Sequence, residues 1–489
     1  MLLDKSILEL AAGLRQDEFT SVDLVNECYD NIAKYNDKIN AFITILPRET
    51  AIKQAQSVKL TSPLSGLPFV IKDCFNTSGI TTTAASHVLK NYIAPYDATV
   101  YKKLLTAGAI LIGKMNMDAW GHGGSSENTD FGPVKNPWDT TRVAGGSSGG
   151  PAAAISARMA VFAIGEDTGG SIRNPAAWCN ITGLKVTYGR VSRYGSIAYA
   201  SSFDTVGPMA KTAQDCAIVL ETIAGVDPYD ATSSPISVPS YSTLLNKKVS
   251  DLTIGIPDEF FQAGLDPEVK TAVLKVAEDL KNAGAKIKNL SMPLFDYGLA
   301  IYYLIGPSET SSNLARYDGI RYGQGREFFT DETTRRILIG TYALSAGYYD
   351  AYYKKAQQVR TLFIEEYKKA LTKCSVLLQP ITPTQPPKIG ELMSDPLQNF
   401  LADIYTTSQN PIGVPSLAFP CGFTKTGLPI GAQLVGPMFS EDLLLNIGYQ
   451  YQQLTDNHLK SPLSKGDLEG LKPKLWPSPP SLDSKSTLN

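Results

Sequence analysis

The 489-residue chain has only three histidines, His87, His122 and His458. A His-rich metal centre or a Ser-His-Asp triad is therefore poorly supplied. Charge of one sign is also missing: 45 Lys+Arg stand against 47 Asp+Glu, a net charge of −2. That excludes the basic excess of a free-standing nucleic-acid binder, though not a component of a larger RNA-handling complex. The six cysteines (Cys28, Cys74, Cys179, Cys216, Cys374 and Cys421) hold no CxxC pair, so they read as reduced thiols in a cytosol-like compartment. No apolar run reaches the length of a transmembrane helix. The opening MLLDKSILELAAGLRQDEF carries acids early, unlike a signal or transit peptide, which points to a cytoplasmic setting. Neither a GxxxxGK[ST] loop nor an internal repeat occurs. What remains, 43% hydrophobic and 19% charged, is an ordinary globular composition.

Patterning places the elements. Residues 5–35 read as two helices, the second capped at Thr20 or Ser21. Residues 66–72 read as a buried strand ending on Lys72. Asp97 is placed to cap a helix through Leu105 that Gly108 ends, and residues 109–112 form the next strand. This alternation runs to about residue 225 and predicts α/β layering. Residues 226–250 read as a surface connection and 253–256 as a strand. Asp266-Pro267 opens a helix that Gly284 closes. Residues 333–372 read as strongly helical, and 374–378, 416–419 and 430–435 as late strands. After residue 460 the chain is rich in Pro and Ser and is expected to be disordered.

The informative stretch is GGSSGG at 145–150, followed by GEDTGGSIR at 165–173. A flexible linker fits badly, because Pro151-Ala-Ala-Ala looks like a helix start and 161–164 like a buried strand. A phosphate loop lacks its lysine. Nucleophilic catalysis fits better. Ser171 follows two glycines, and the N–H groups of Thr168, Gly169, Gly170 and Ser171 can converge on one oxyanion. A serine needs a base. His122, in a Gly-rich loop, is the only histidine worth considering, and local hydrogen bonding is the more ordinary role for it. Lys72 is the better base, since desolvation at the end of an apolar run would lower its pKa and leave a neutral amine. A lysine that reaches solvent or pairs with Asp73 is the plainer reading of that residue taken alone.

These residues resemble the amidase signature family. The matching pieces are GLPFVIKD (66–73), GGSSGG (145–150), GEDTGGSIRNPAAWCNITGLK (165–185) and YGRVSRYG (188–195). The resemblance implies a Ser–cis-Ser–Lys triad with Ser171 as nucleophile, Ser147 as the bridging serine with a cis peptide bond and Lys72 as general base. It also implies an α/β fold with a large mixed central sheet flanked by helices on both faces. A single domain over 1–460 is expected, its core at 66–208, with a tail at 461–489.

NMDAW (116–120), SSENTDFGPVKNPWD (125–139), SSNLARYDGIRYG (311–323), GTYALSAGYYDAYYKKAQQVRTL (340–362) and GLPIGAQLVGP (427–437) narrow the branch. They resemble the A subunits of tRNA-dependent glutamyl and aspartyl amidotransferases. That resemblance implies glutamine as the amide substrate and partner B and C subunits in a heterotrimer. Charged tRNA would bind mainly through B, which uses ATP and magnesium; no cofactor or metal is expected in this chain, and no membrane. A bacterial host is favoured over an organelle. By motif position Arg336 resembles the arginine that binds the substrate α-carboxylate, with Arg335 a weaker claimant. Asp403 resembles the acid for the α-amino group, and Tyr302 a lining tyrosine. A free-standing amidase acting on small acyl amides is the alternative. The chain departs from the family pattern at Pro151, Glu166, Asn180, Val186, the 119–125 loop and a shortened 323–333 segment. Glu166 stands where a small residue is usual.

Overall fold

The structure, a computed structural model, describes residues 1–262, 264–320 and 323–465. The tail expected to be disordered lies, from residue 466 on, outside the described residues; before it, Pro462–Lys465 form a short helical turn.

Eleven strands make one mixed sheet. Across it the order is Phe42–Ile45, Ile110–Met115, Pro68–Lys72, Phe162–Asp167, Thr205–Ala210, Thr182–Lys185, Ser416–Phe423, Pro429–Val435, Val376–Pro380, Thr253–Pro257 and Lys286–Leu290. The strand ending on Lys72 runs parallel to both neighbours, with Ile71 opposite Ile164 and Lys72 opposite Met115. Every residue of Pro68–Lys72 and Phe162–Asp167 is buried, as expected of strands covered on both faces.

The two-residue alternation of strand side chains divides the core. Phe69, Ile71, Leu111, Phe162 and Ile164 enter one cluster; Val70, Ile110, Ile112 and Ala163 enter the other. The first cluster is completed by helices Ala213–Ile223, Pro267–Asn282 and Glu441–Leu454. The second is completed by Arg48–Ser57, Gly149–Ser156 and Arg173–Trp178. Helices therefore cover both faces, as the sequence led us to expect. All six cysteines are buried free thiols. No helix among the described residues is long and apolar enough to cross a membrane.

Local signals succeed where the partner is close in sequence. Thr20 caps Ser21–Ile39 in a reciprocal box with Asp23, and Asp266 caps the helix opened by Pro267. One expectation needs correction. Asp97 does not cap Thr99–Thr106; the cap position is Ala98, and the Asp97 carboxylate accepts from the Ser78 N–H at 2.6 Å. The segment 333–372 is strongly helical as read, and the structure refines it into two helical stretches. Asp331–Leu344 stops at Ser345, Gly347 turns the chain with φ +84°, and helical backbone resumes from Asp350 to Leu371. A positive φ is where glycine is favoured, so the break sits where the pattern holds its only glycine after Gly340.

Candidate active site

Three loops meet at the ends of the central strands. Lys72 closes its strand with no exposed surface. Its Nζ donates to Ser147 Oγ at 2.7 Å, to the Glu166 carbonyl at 3.2 Å and to Glu166 Oε2 at 2.8 Å. The Gly146–Ser147 peptide bond is cis. The Ser147 carbonyl accepts from the Asp118 N–H at 3.3 Å and Ser126 Oγ at 3.4 Å. The next residue ties the two serine loops together. Ser148 donates its N–H to the Ser171 carbonyl at 3.0 Å and its hydroxyl to the Glu166 carbonyl at 3.1 Å. Lys72 and Ser147 are therefore in direct contact, and the loop bearing Ser147 is hydrogen-bonded to Ser171.

Ser171 sits on a turn between strand Phe162–Asp167 and helix Arg173–Trp178. A buried ion pair clamps this turn. Arg173 meets Asp167 with two nitrogens, at 3.0 and 3.1 Å, and also donates to Gln409, Gln433, Asn410 and the Thr406 carbonyl. Burial alone would raise the Asp167 carboxyl, but the Arg173 guanidinium holds it well below the usual carboxylate range. Removing one partner leaves an uncompensated buried charge. Arg173→Met is therefore expected to cost about 3–5 kcal/mol of stability, measured by urea unfolding. A loss under about 1 kcal/mol would contradict the clamp.

The oxyanion expectation needs one correction. Gly170 N–H donates to Asp167 Oδ1 at 2.9 Å, so it is already engaged. Among the described residues, no acceptor is found for the N–H groups of Thr168, Gly169 and Ser171. Glycine at 170 is required on two counts: φ is +131°, and a Cβ would stand 2.3 Å from Thr406 Oγ1.

The expected state of Lys72 is also corrected. Burial does act to discharge it, but the Glu166 carboxylate outweighs burial and raises its pKa. The Lys72 and Glu166 side chains form a buried ion pair. Sequence alone marked Glu166 only as unusual in size, because its contact with Lys72 spans 94 positions.

The residues expected to read the substrate surround the same turn. Tyr302 lies over Gly169, where a Cβ would stand 2.5 Å from its ring. Asp403 packs against Gly124 and accepts from Tyr303 Oη at 2.8 Å. Burial pushes its carboxyl up to about 6, against the opposing pull of Tyr303 and Arg336. Arg336 is buried between the Tyr199 and Tyr303 rings, at 5.6 and 5.4 Å. It donates to Tyr199 Oη at 2.7 Å and to Glu332 Oε1 at 2.8 Å. Arg335 is half-exposed and pairs with Glu332. Tyr199 and Tyr303, which the sequence did not single out, thus join Arg336 to the site. His122 is buried, and its ring nitrogens meet Thr333 Oγ1 at 3.2 Å and Thr310 Oγ1 at 3.1 Å. Burial, with Arg336 nearby, keeps it well below its ordinary pKa, and therefore neutral. It ties the 119–125 loop to the helices carrying Tyr302 and Arg336.

Comparison with known proteins places this arrangement. The Amidase family model matches residues 23–445. The A subunit of the glutamyl-tRNA(Gln) amidotransferase of Desulfatibacillum aliphaticivorans is 47% identical over 470 residues, covering 92% of this chain and 97% of that protein. Its counterpart from Roseiflexus sp. (strain RS-1) is 48% identical over 482 residues, covering 94% and 99%. Among solved structures, the A subunit of the glutamyl-tRNA(Gln) amidotransferase of Thermotoga maritima superposes with a TM-score of 0.81. It is 38% identical and the match covers 92% of this chain and 94% of that one.

Proposed function

The chain belongs to the amidase family, and from that premise we propose that it is the glutaminase component of a tRNA-dependent amidotransferase. Near-half identity along nearly the whole chain to proteins named as the A subunit of that enzyme carries the reading. The site supports it in chemistry. A cation and an acid, Arg336 and Asp403, both contact Tyr303 and suit the opposite charges of a free amino acid, and the neighbouring Tyr302 lies over the turn that carries Ser171.

Glutamine enters with its α-carboxylate toward Arg336, its α-amino group toward Asp403 and its side chain past Tyr302 to Ser171. Ser171 Oγ attacks the carboxamide carbon, and its proton passes to Ser147 while the Ser147 proton passes to Lys72 in its neutral amine form. The N–H groups of Thr168, Gly169 and Ser171 take the oxyanion. As the tetrahedral species collapses, the relay returns a proton to the amide nitrogen, which leaves as ammonia. Water then cleaves the γ-glutamyl ester and frees glutamate. Ammonia serves a partner B subunit, which amidates glutamyl-tRNA(Gln) with ATP and magnesium, and a C subunit completes the heterotrimer.

The testing experiment is glutamine hydrolysis with and without B, C and charged tRNA. Stimulation by the partners supports the reading. A chain that turns over aryl or alkyl amides well alone and ignores glutamine is a free-standing amidase instead. Arg336→Ala tests selectivity. A charge-assisted hydrogen bond contributes about 1.5–3 kcal/mol, so KM for glutamine should rise roughly ten- to a hundredfold, with little change for a simple amide. Equal effects on both substrates would mean that Arg336 does not read the carboxylate.

A further inference from the structure

Glu166 stands against the base, and it is not alone. Its Oε2 meets Lys72 Nζ at 2.8 Å, and its Oε1 meets Thr168 Oγ1 at 2.5 Å. Thr168 Oγ1 also meets Asp204 Oδ1 at 2.8 Å. All four side chains are buried. A hydroxyl carries one proton, so Thr168 can donate to only one of the two carboxyls. The other contact requires the carboxyl to be the donor. One proton is therefore held by the Glu166–Thr168–Asp204 chain.

The surroundings place that proton on Asp204. Glu166 faces the Lys72 cation, whereas among the described residues Asp204 has no cation in hydrogen-bond range and accepts the N–H groups of Tyr199 and Ala200. Burial and the Glu166 charge push Asp204 up to about 8, with Arg193 opposing. The other ionisable groups facing Lys72 are Cys74, whose thiol burial raises to about 12, and Asp118, raised by burial to about 7. A cavity of about 190 Å³ borders Glu166 and Asp204 and is lined by Arg193, Tyr194, Tyr229 and Asp230, which gives the carboxyls a route for proton exchange.

We propose that Glu166 is a positioning residue for the base, holding Lys72 as its ammonium in the resting enzyme and taking one proton from it when Ser171 attacks. This rests on the catalytic reading of Lys72, Ser147 and Ser171. The step balances. Lys72 gives a proton to the Glu166 carboxylate and becomes an amine. That amine accepts the Ser147 proton as Ser147 accepts that of Ser171, and the Ser171 oxygen bonds the carboxamide carbon. When ammonia leaves, it takes the relayed proton back, and Glu166 returns its own to Lys72. Because the transfer stays inside the pair, its proton count does not change with pH, and the chain works down to the pH at which Glu166 itself is protonated in the resting pair.

The experiment is the pH dependence of kcat/KM for glutamine with the complete amidotransferase. A second readout is the rate at which a fluorophosphonate labels Ser171. Glu166→Gln keeps the shape and removes the anion. Its acid limb should move at least about one pH unit higher, because Lys72 must then lose its proton to solvent before it can act as a base. Glu166→Asp should stay near the wild-type limb. Glu166→Ser repeats the test with a smaller side chain. A superimposable Glu166→Gln profile overturns the proposal, as does a folded Glu166→Gln inactive at every pH. Should the Gln and Ser variants both fail to fold, the wild type decides: the proposal predicts rates flat from about pH 6 to 9, and an acid limb above neutrality overturns it. Failure to label Ser171 in the wild type would instead remove the underlying catalytic reading.

Discussion

Ser171→Ala is expected to lower kcat for glutamine hydrolysis about a thousandfold or more, with little change in the affinity for glutamine. The acyl bond is assigned to this hydroxyl, since that of Thr168 is tied to Glu166 and Asp204, while the groups proposed to hold glutamine, Arg336, Asp403 and Tyr302, lie on other elements. The backbone around Ser171 is fixed by Asp167, which accepts from the Gly170 and Ile172 N–H groups, so the alanine variant keeps its shape. Circular dichroism and the melting temperature should match wild type. Ammonia release is the measurement. A loss under tenfold would mean that another nucleophile does the chemistry.

Lys72→Ala carries the second large effect. A positioned base contributes about 10²–10⁴-fold, and here Lys72 is the sole cation touching Ser147 among the described residues. The loss should approach that of Ser171→Ala, and the double variant should lose little more than either single one, because the two act as one unit. The substitution also leaves Glu166 buried without its cation. Melting temperatures must therefore be compared, and Lys72→Ala paired with Glu166→Gln separates stability from catalysis. Independent, multiplicative losses of rate in the Lys72/Ser171 double variant would break the relay.

Much of the sheet and the reactive loops could be read from the sequence because the signals are local. The apolar run before Lys72, the strand before Asp167 and the glycines beside both serines declare themselves within ten residues. What stayed hidden depends on pairs far apart in the chain. The Lys72 charge state is set by Glu166 across 94 positions. One miss is local: Gly170 looked like an oxyanion donor because glycine leaves its N–H unhindered, yet the Asp167 carboxylate, three residues back, takes it. Tyr199 and Tyr303 gave no signal, since a tyrosine on a loop or helix is ordinary until Arg336 is placed between them. Asp97 was read as a cap on position alone, and its carboxylate found the Ser78 N–H first.

The central claim is a covalent bond between Ser171 and the glutamyl group. Holoenzyme mixed with glutamine, quenched in acid within the first turnover and mapped by peptide mass should carry a γ-glutamyl ester on Ser171, absent from Ser171→Ala. An adduct on any other residue, or a full turnover of ammonia with no adduct at all, would contradict it.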